Sequence, residues 1–460
     1  DLVDAKTAVG QREPERRRRH GAVQDVVERQ PRRDLLDPSR GARSYRIFDS
    51  EFTRSDSRML PSWYFTANRT LRNSDPTATP IMVSPRKTGR QYSVDVRDGM
   101  LYVLTNDDHV NFRVATASMK TPGDWKTLIA GSDRHYLTGL SLFKNFYVTE
   151  GRIDGLDQVE IRDYADASKV QPIKFPEASY DAGLGDNPEY DVTKLRLGYE
   201  SMVTPDTVFD YHLADGRLET LKVQEIPSGY DPAQYVTERV MITARDGAKV
   251  PVSILTKKGF KKDGSQPLHL YAYGAYGYAM PPGFSANRLS MVDRGFAYAI
   301  AHIRGGKACG HNWFLQGRGK HKQNTFTDFI AAAHALIEQG YTKPGNISIH
   351  GGSAGGLLVG ASLNLAPDLF CSALAEVPFV DVLTTMLDAT LPLTPPEWPE
   401  WGNPILNKTD YETISAYSPY DNILEAKYPH VFATAGLTDP RVTYWEPAKW
   451  VARLREMRTD

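Results

Sequence analysis

From about Arg90 to Val223 the apolar residues fall in short alternating runs rich in Val, Tyr, Leu and Phe, broken by turn residues. That is the pattern of half-buried strands. Three similar units can be read. The first passes through Tyr92-Ser93-Val94 and Met100-Leu101-Tyr102-Val103-Leu104, joined at Asp98-Gly99. The second holds Leu140-Ser141-Leu142 and Phe146-Tyr147-Val148. The third joins Leu195-Arg196-Leu197-Gly198 to Val208-Phe209-Asp210-Tyr211, then crosses Asp215-Gly216 to Leu218-Glu219-Thr220-Leu221. Asp-Gly suits a two-residue hairpin because both central residues need positive φ. A recurrence of about forty to sixty residues predicts propeller blades, with an irregular sandwich as the alternative.

After Ser228-Gly229-Tyr230-Asp231-Pro232 the texture changes. A hairpin is expected across Asp246-Gly247, and strands then alternate with helices. Leu268-His269-Leu270-Tyr271 reads as a buried strand and 297–303 as another. Phe326, Phe329, Ile330, Ala333, Leu336 and Ile337 make a helical stripe that stops at Gly340. Further strands are expected at 347–350, 372–375 and 430–435, and a last helix over 447–457. Such alternation implies a mostly parallel sheet with its ligands outside the carboxyl ends of the strands.

The chemistry lies in Gly351-Gly352-Ser353-Ala354-Gly355-Gly356, which follows the strand Ile347-Ser348-Ile349-His350 and precedes an apolar helical run. A G-x-S-x-G element there makes Ser353 a candidate nucleophile. A sharp strand-to-helix turn lifts the hydroxyl clear of the sheet, and bulky neighbours would clash with the crossing backbone. The same turn aims the N–H of Ala354 at the place where an oxyanion would form. In the α/β-hydrolase order an acid comes next, on a loop after a later strand, and a histidine last. Asp439, in Gly436-Leu437-Thr438-Asp439-Pro440-Arg441, occupies the acid position. All eleven histidines precede Asp439, so none stands where that order places the base. His350, three residues before Ser353, sits on the strand leading into the turn and is directed away from it.

Composition narrows the setting. The hydrophobic share of 41% and net charge of -1 describe a globular chain with no global pull toward nucleic acid or membrane. At 460 residues two domains are expected. The two cysteines, Cys309 and Cys371, allow one bridge at most, which favours a reducing compartment and so the cytoplasm. No apolar run is long enough to cross a bilayer. The arginine-rich residues 1–44 resemble nothing downstream and are read as disordered or unrelated, with no function assigned.

Residues 75–460 resemble oligopeptidase B, in the prolyl oligopeptidase family of serine peptidases. The resemblance is carried by Tyr271-Ala272-Tyr273-Gly274-Ala275-Tyr276-Gly277, Ile303-Arg304-Gly305-Gly306, the serine element, Val377-Pro378-Phe379-Val380-Asp381-Val382, Trp401-Gly402-Asn403-Pro404 and Tyr444-Trp445-Glu446-Pro447-Ala448-Lys449-Trp450. It implies a β-propeller over 45–224, here partial, joined to an α/β-hydrolase domain over 225–460. It also implies cleavage of short peptides, with no cofactor or metal and no nucleic-acid or membrane partner. Carried over residue by residue, it makes Ser353 the nucleophile, Asp439 the triad acid, Tyr273 an oxyanion donor beside Ala354, and Arg441 a ligand of substrate carbonyl. Glu397 matches the first of two glutamates that receive a basic side chain before the cut. The second position is Pro399, with Glu400 one residue on, and the region of Met280-Pro281-Pro282-Gly283 lacks acids that some relatives carry. Cleavage after a single Lys or Arg is therefore expected, without a paired-basic preference.

In that family the triad histidine lies a few dozen residues beyond the aspartate, so the chain reads as a fragment, near-inactive as it stands. Two other readings share these residues. One is an esterase or acyl-peptide hydrolase on the same scaffold, the other a non-catalytic propeller scaffold.

Overall fold

The computed structural model describes residues 70–71 and 81–459. The arginine-rich segment lies outside them. Three four-stranded antiparallel sheets, each in chain order, come first. They comprise Tyr92–Arg97, Met100–Thr105, Arg113–Ser118 and Lys126–Ile129; then His135–Leu142, Phe146–Ile153, Leu156–Asp163 and Val170–Pro172; then Tyr180–Leu184, Lys194–Ser201, Thr207–His212 and Leu218–Val223. Asp98 and Gly99 take φ of 49° and 73°, as a primed hairpin turn requires. Asp154-Gly155 repeats this in the second sheet, at 52° and 81°. The three sheets are propeller blades.

The second part is a seven-stranded sheet. Its strands are β1 Tyr235–Thr243, β2 Lys249–Lys257, β3 Leu268–Tyr271, β4 Ala297–Ala301, β5 Ile347–Gly352, β6 Phe370–Glu376 and β7 His430–Thr434. They lie in the order β1-β2-β4-β3-β5-β6-β7. β1 and β2 form the antiparallel hairpin across Gly247, and from β4 to β7 every pairing is parallel. All five residues of β4 are buried, as a strand covered on both faces must be. Helix α1, Gln323–Glu338, lays Phe326, Phe329, Ala332, Ala333 and Leu336 into the main core, and Gly340 at φ 79° ends its last turn. This is the α/β-hydrolase architecture.

β4 stops at Ala301, two residues before the strand read from the sequence. Asp328 on α1 accepts from the backbone N–H of Arg304 at 3.0 Å and from its guanidinium at 2.6 and 2.9 Å, and Gly305 takes φ 95°. A buried ion pair thus turns the chain out of the sheet. Three helices missing from the sequence reading, α3 Val382–Leu387, α4 Thr394–Trp401 and α5 Lys408–Ser415, follow β6. They are only six to eight residues long, and Pro399 interrupts α4, so each offers little period to read.

Blades and hydrolase sheet meet through buried polar contacts. His311 N–H donates to Asn111 Oδ1 at 2.8 Å and Phe284 N–H to Glu200 Oε2 at 3.0 Å. The Ser179 and Ser253 hydroxyls lie 2.6 Å apart, with Ser253 also 2.7 Å from His302 Nε2. Cys309 and Cys371 are both free thiols. Among the described residues no helix is long and apolar enough to cross a membrane.

Candidate active site

Helix α2, Ala354–Leu365, begins directly after β5, and Ser353 between them adopts φ 55° and ψ -119°. That region is costly for a non-glycine residue, and such strain persists where surrounding structure over-determines it. The surroundings are specific. Ser353 N–H donates to Glu376 O at 2.8 Å, and Ser353 O accepts from Phe379 N–H at 3.0 Å. A Cβ on Gly351 would sit 2.2 Å from Gly355 O, and one on Gly356 would sit 2.4 Å from Pro378 Cβ. Glycine is needed at both places for the helix to cross the strand end so closely. The first-turn N–H of Ala354 has no partner within its own helix, which leaves it available to an anion.

Ser353 opens into a cavity of about 340 Å³. Tyr273, Tyr276, Phe379, Met386, Trp401, Pro440 and Arg441 share its wall, and Glu397 supplies a carboxylate. Tyr273 lies just past the end of β3, on the cavity wall with Ser353, and its pKa is raised, chiefly by burial, against an opposing interaction with Ser353. Glu397 Oε2 accepts from Tyr276 Oη at 2.9 Å and from Trp401 Nε1 at 2.9 Å. Burial pushes its pKa above the usual carboxylate value, and these two donors oppose the shift. A half-buried carboxylate held by neutral donors, facing an apolar and aromatic cavity, can pair with a cation when ionised.

Arg441 is on the cavity wall, and its side chain is exposed enough to reach a ligand. Asp439 is on the loop after β7, where its Oδ1 accepts from the N–H groups of Arg441 at 2.8 Å and Val442 at 3.1 Å. It is not among the lining residues, whereas the next two residues are. No lining residue is a histidine. His350 points elsewhere: its Nε2 is 2.8 Å from Glu376 Oε2, and its ring packs on Tyr271. The structure therefore brings Ser353, Tyr273, Glu397 and Arg441 to one cavity, and sets Asp439 at its rim loop. Among the described residues no group of three or more His, Cys, Asp or Glu is placed to hold a metal ion.

Sequence reading missed Tyr276, Trp401 and Glu446. Trp401 was within reach, being four residues after Glu397 on one helix and so on the same face. Glu446 also lines the cavity, accepting from Val380 N–H at 3.1 Å, Asp381 N–H at 3.0 Å and Thr385 Oγ1 at 2.7 Å. Burial pushes its carboxyl up to about 7. No local pattern marks it, because its partners come from 61 to 66 positions away.

Residues 54–224 match the model of the prolyl oligopeptidase N-terminal beta-propeller domain, and residues 282–460 that of the prolyl oligopeptidase family. The chain belongs to the prolyl oligopeptidase family. Within it, the chain is 43% identical to dipeptidyl aminopeptidase BI of Pseudoxanthomonas mexicana over 391 residues, covering 84% of this chain and 54% of that protein. It is 39% identical to protease 2 of Moraxella lacunata, covering 84% of this chain and 56% of that one. The structure of oligopeptidase B from Leishmania major superposes with a TM-score of 0.75 at 40% identity, covering 85% of this chain and 56% of that one. Oligopeptidase B from Trypanosoma brucei, with covalently bound antipain in a closed form, gives 0.75 at 42%, covering 83% of this chain and 55% of that one. The chain thus spans about half the length of the curated family members it matches. The propeller-domain match takes in all three antiparallel sheets, and the peptidase match takes in the serine turn, the Glu397 helix and the Asp439 loop.

Proposed function

We propose that this chain is the core of a serine oligopeptidase that cleaves short peptides after Lys or Arg through an acyl-enzyme on Ser353. One observation carries the reading: the strained serine and the Glu397 carboxylate open into the same cavity. The Ser353 hydroxyl attacks the scissile carbonyl and loses its proton to a general base. The tetrahedral oxyanion is held by the Tyr273 hydroxyl and the Ala354 N–H, and the leaving amine takes up the proton. Removing one such donor commonly costs a few kcal/mol of transition-state stabilisation. Glu397 receives the basic side chain, Arg441 holds a substrate carbonyl, and Asp439 orients the imidazolium of the base. We assign the division at 224/225 between propeller and catalytic parts, the cytoplasm as the compartment, and a mechanism without cofactor, metal, nucleic acid or membrane.

Since no lining residue is a histidine, the 460-residue chain by itself is proposed to turn over slowly. The test compares it on an arginyl fluorogenic peptide with a form extended beyond Asp460 to include a candidate histidine. The extended form is expected to be faster by about 10⁴-fold or more, the usual loss when a triad member is missing. Equal rates would sink the proposed role of an added base. Hydrolysis of arginyl and alanyl peptides at equal rates by the extended form would sink the assignment of Glu397.

A further inference from the structure

The turn Tyr273–Gly277 carries both the proposed oxyanion donor and the tyrosine that orients Glu397, and two buried ionic side chains hold it from behind. Lys322, 1% exposed just before α1, donates from Nζ to Gly274 O at 2.6 Å and to Gly317 O at 3.3 Å. Its ammonium also lies over the Trp401 ring, 5.1 Å from the centroid. Glu400, wholly buried on α4, accepts the Tyr276 N–H on Oε1 at 2.9 Å, while its Oε2 has no hydrogen-bond partner. Burial raises the Glu400 carboxyl and lowers the Lys322 ammonium, and each charge opposes the other's shift. Two buried charges, one with an orphan oxygen, cost stability that apolar side chains of similar volume would not. Neither residue lines the cavity. Their contacts converge on backbone atoms that flank Tyr273 and Tyr276, where Tyr276 at φ 58° needs external support.

We infer that Lys322 and Glu400 are positioning residues for the reaction, clamping the Tyr273–Gly277 turn so that Tyr273 meets Ser353 and Tyr276 meets Glu397. This rests on the proposed function. Through Tyr273 the clamp governs oxyanion stabilisation, and through Tyr276 and Trp401 it governs the basic-residue pocket. In the sequence Glu400 stands one residue past Pro399, which occupies the second glutamate position of the relatives. The geometry of Glu400 makes it a brace of the pocket.

The experiment uses the form extended to include the base and two probes that need no full turnover: p-aminobenzamidine, whose fluorescence reports occupancy of the Glu397 pocket, and a fluorophosphonate, whose rate of base-assisted attachment to Ser353 reports oxyanion support. In Lys322→Met, binding is expected to weaken at least tenfold and attachment to slow about tenfold. On a Tyr273→Phe background the same change is expected to slow attachment no further, because the group being positioned is gone. An equal loss on both backgrounds, or no loss on either, overturns the inference. Glu400→Gln, which keeps an acceptor for Tyr276 N–H, is expected to retain both signals, while Glu400→Leu loses them. If Lys322→Met does not fold, the Glu400 pair decides, and matching behaviour of Gln and Leu overturns the inference. A parent chain that takes neither probe overturns the proposed function and the positioning role with it.

Discussion

In the proposed function, selectivity for basic side chains rests on the half-buried carboxylate of Glu397. Its hydrogen-bond partners are two neutral donors, and burial keeps its pKa above the usual carboxylate value. Only the ionised form pairs with a cation, so kcat/KM for arginyl peptides is expected to rise with pH through a midpoint above the usual Glu value. Glu397→Gln should remove that rise and lower kcat/KM on such peptides by about 10²-fold, leaving a simple aryl ester nearly untouched. A pH profile of both substrates on both proteins checks this. Gly351 makes a steric prediction at the same scale. An added Cβ would stand 2.2 Å from Gly355 O, a backbone atom that cannot swing aside. Gly351→Ala should destabilise the hydrolase part by about 3 kcal/mol, seen as a lower thermal midpoint. Ser353 was legible because its spacing reflects these local clashes. Tyr276 was not, because its role depends on a helix more than a hundred residues away.

The helix Trp445–Met457 joins the Asp439 loop to the segment that cradles Ser353, through Glu446 at its first turn. Burial pushes the Glu446 carboxyl up to about 7 from its ordinary value of 4.5. The native state therefore binds more protons than the unfolded one between those values, and stability falls as pH rises from about 4.5 to 7. The contribution lost across that window is on the order of 3 kcal/mol. Glu446→Gln should flatten that part of the stability-versus-pH curve relative to the parent, as read by denaturant midpoints at pH 5 and 8. If both curves keep the same slope, Glu446 does not titrate in this way. The element itself was legible from its apolar spacing. Its task was not, since periodicity says which face is buried and nothing about what meets it.

Across the whole molecule, the blades and the hydrolase sheet are pinned by a small set of buried polar contacts. Asn111 is 1% exposed; it accepts from His311 N–H at 2.8 Å and donates to Ser132 O at 2.9 Å and Asp133 O at 3.1 Å. Asn111→Ala leaves these groups without their partner and is expected to weaken the joint by about 1–3 kcal/mol. Calorimetry should then separate one thermal transition into two, and susceptibility to protease should rise in the 224–231 connection. An unchanged single transition would show that other contacts hold the joint. Hairpins within the blades could be read from Asp-Gly turns, which obey local φ requirements. The joint could not, because its partners lie 74 to 200 positions apart and include no repeating signal.

The sequence alone determined the strand and helix alternation, the blade-like units and the serine turn, since each follows from nearest-neighbour sterics or from the period with which apolar residues must face a core. It also held the resemblance that named candidate partners for Ser353. Only tertiary structure decided which of those partners share its cavity. Tyr273, Glu397 and Arg441 line it, Asp439 stands on the adjoining loop, and Glu400 turns away to support the wall. The physical reason is that burial, hydrogen bonding and charge pairing are properties of neighbours in space, and these neighbours lie 44 to 168 positions apart in the chain.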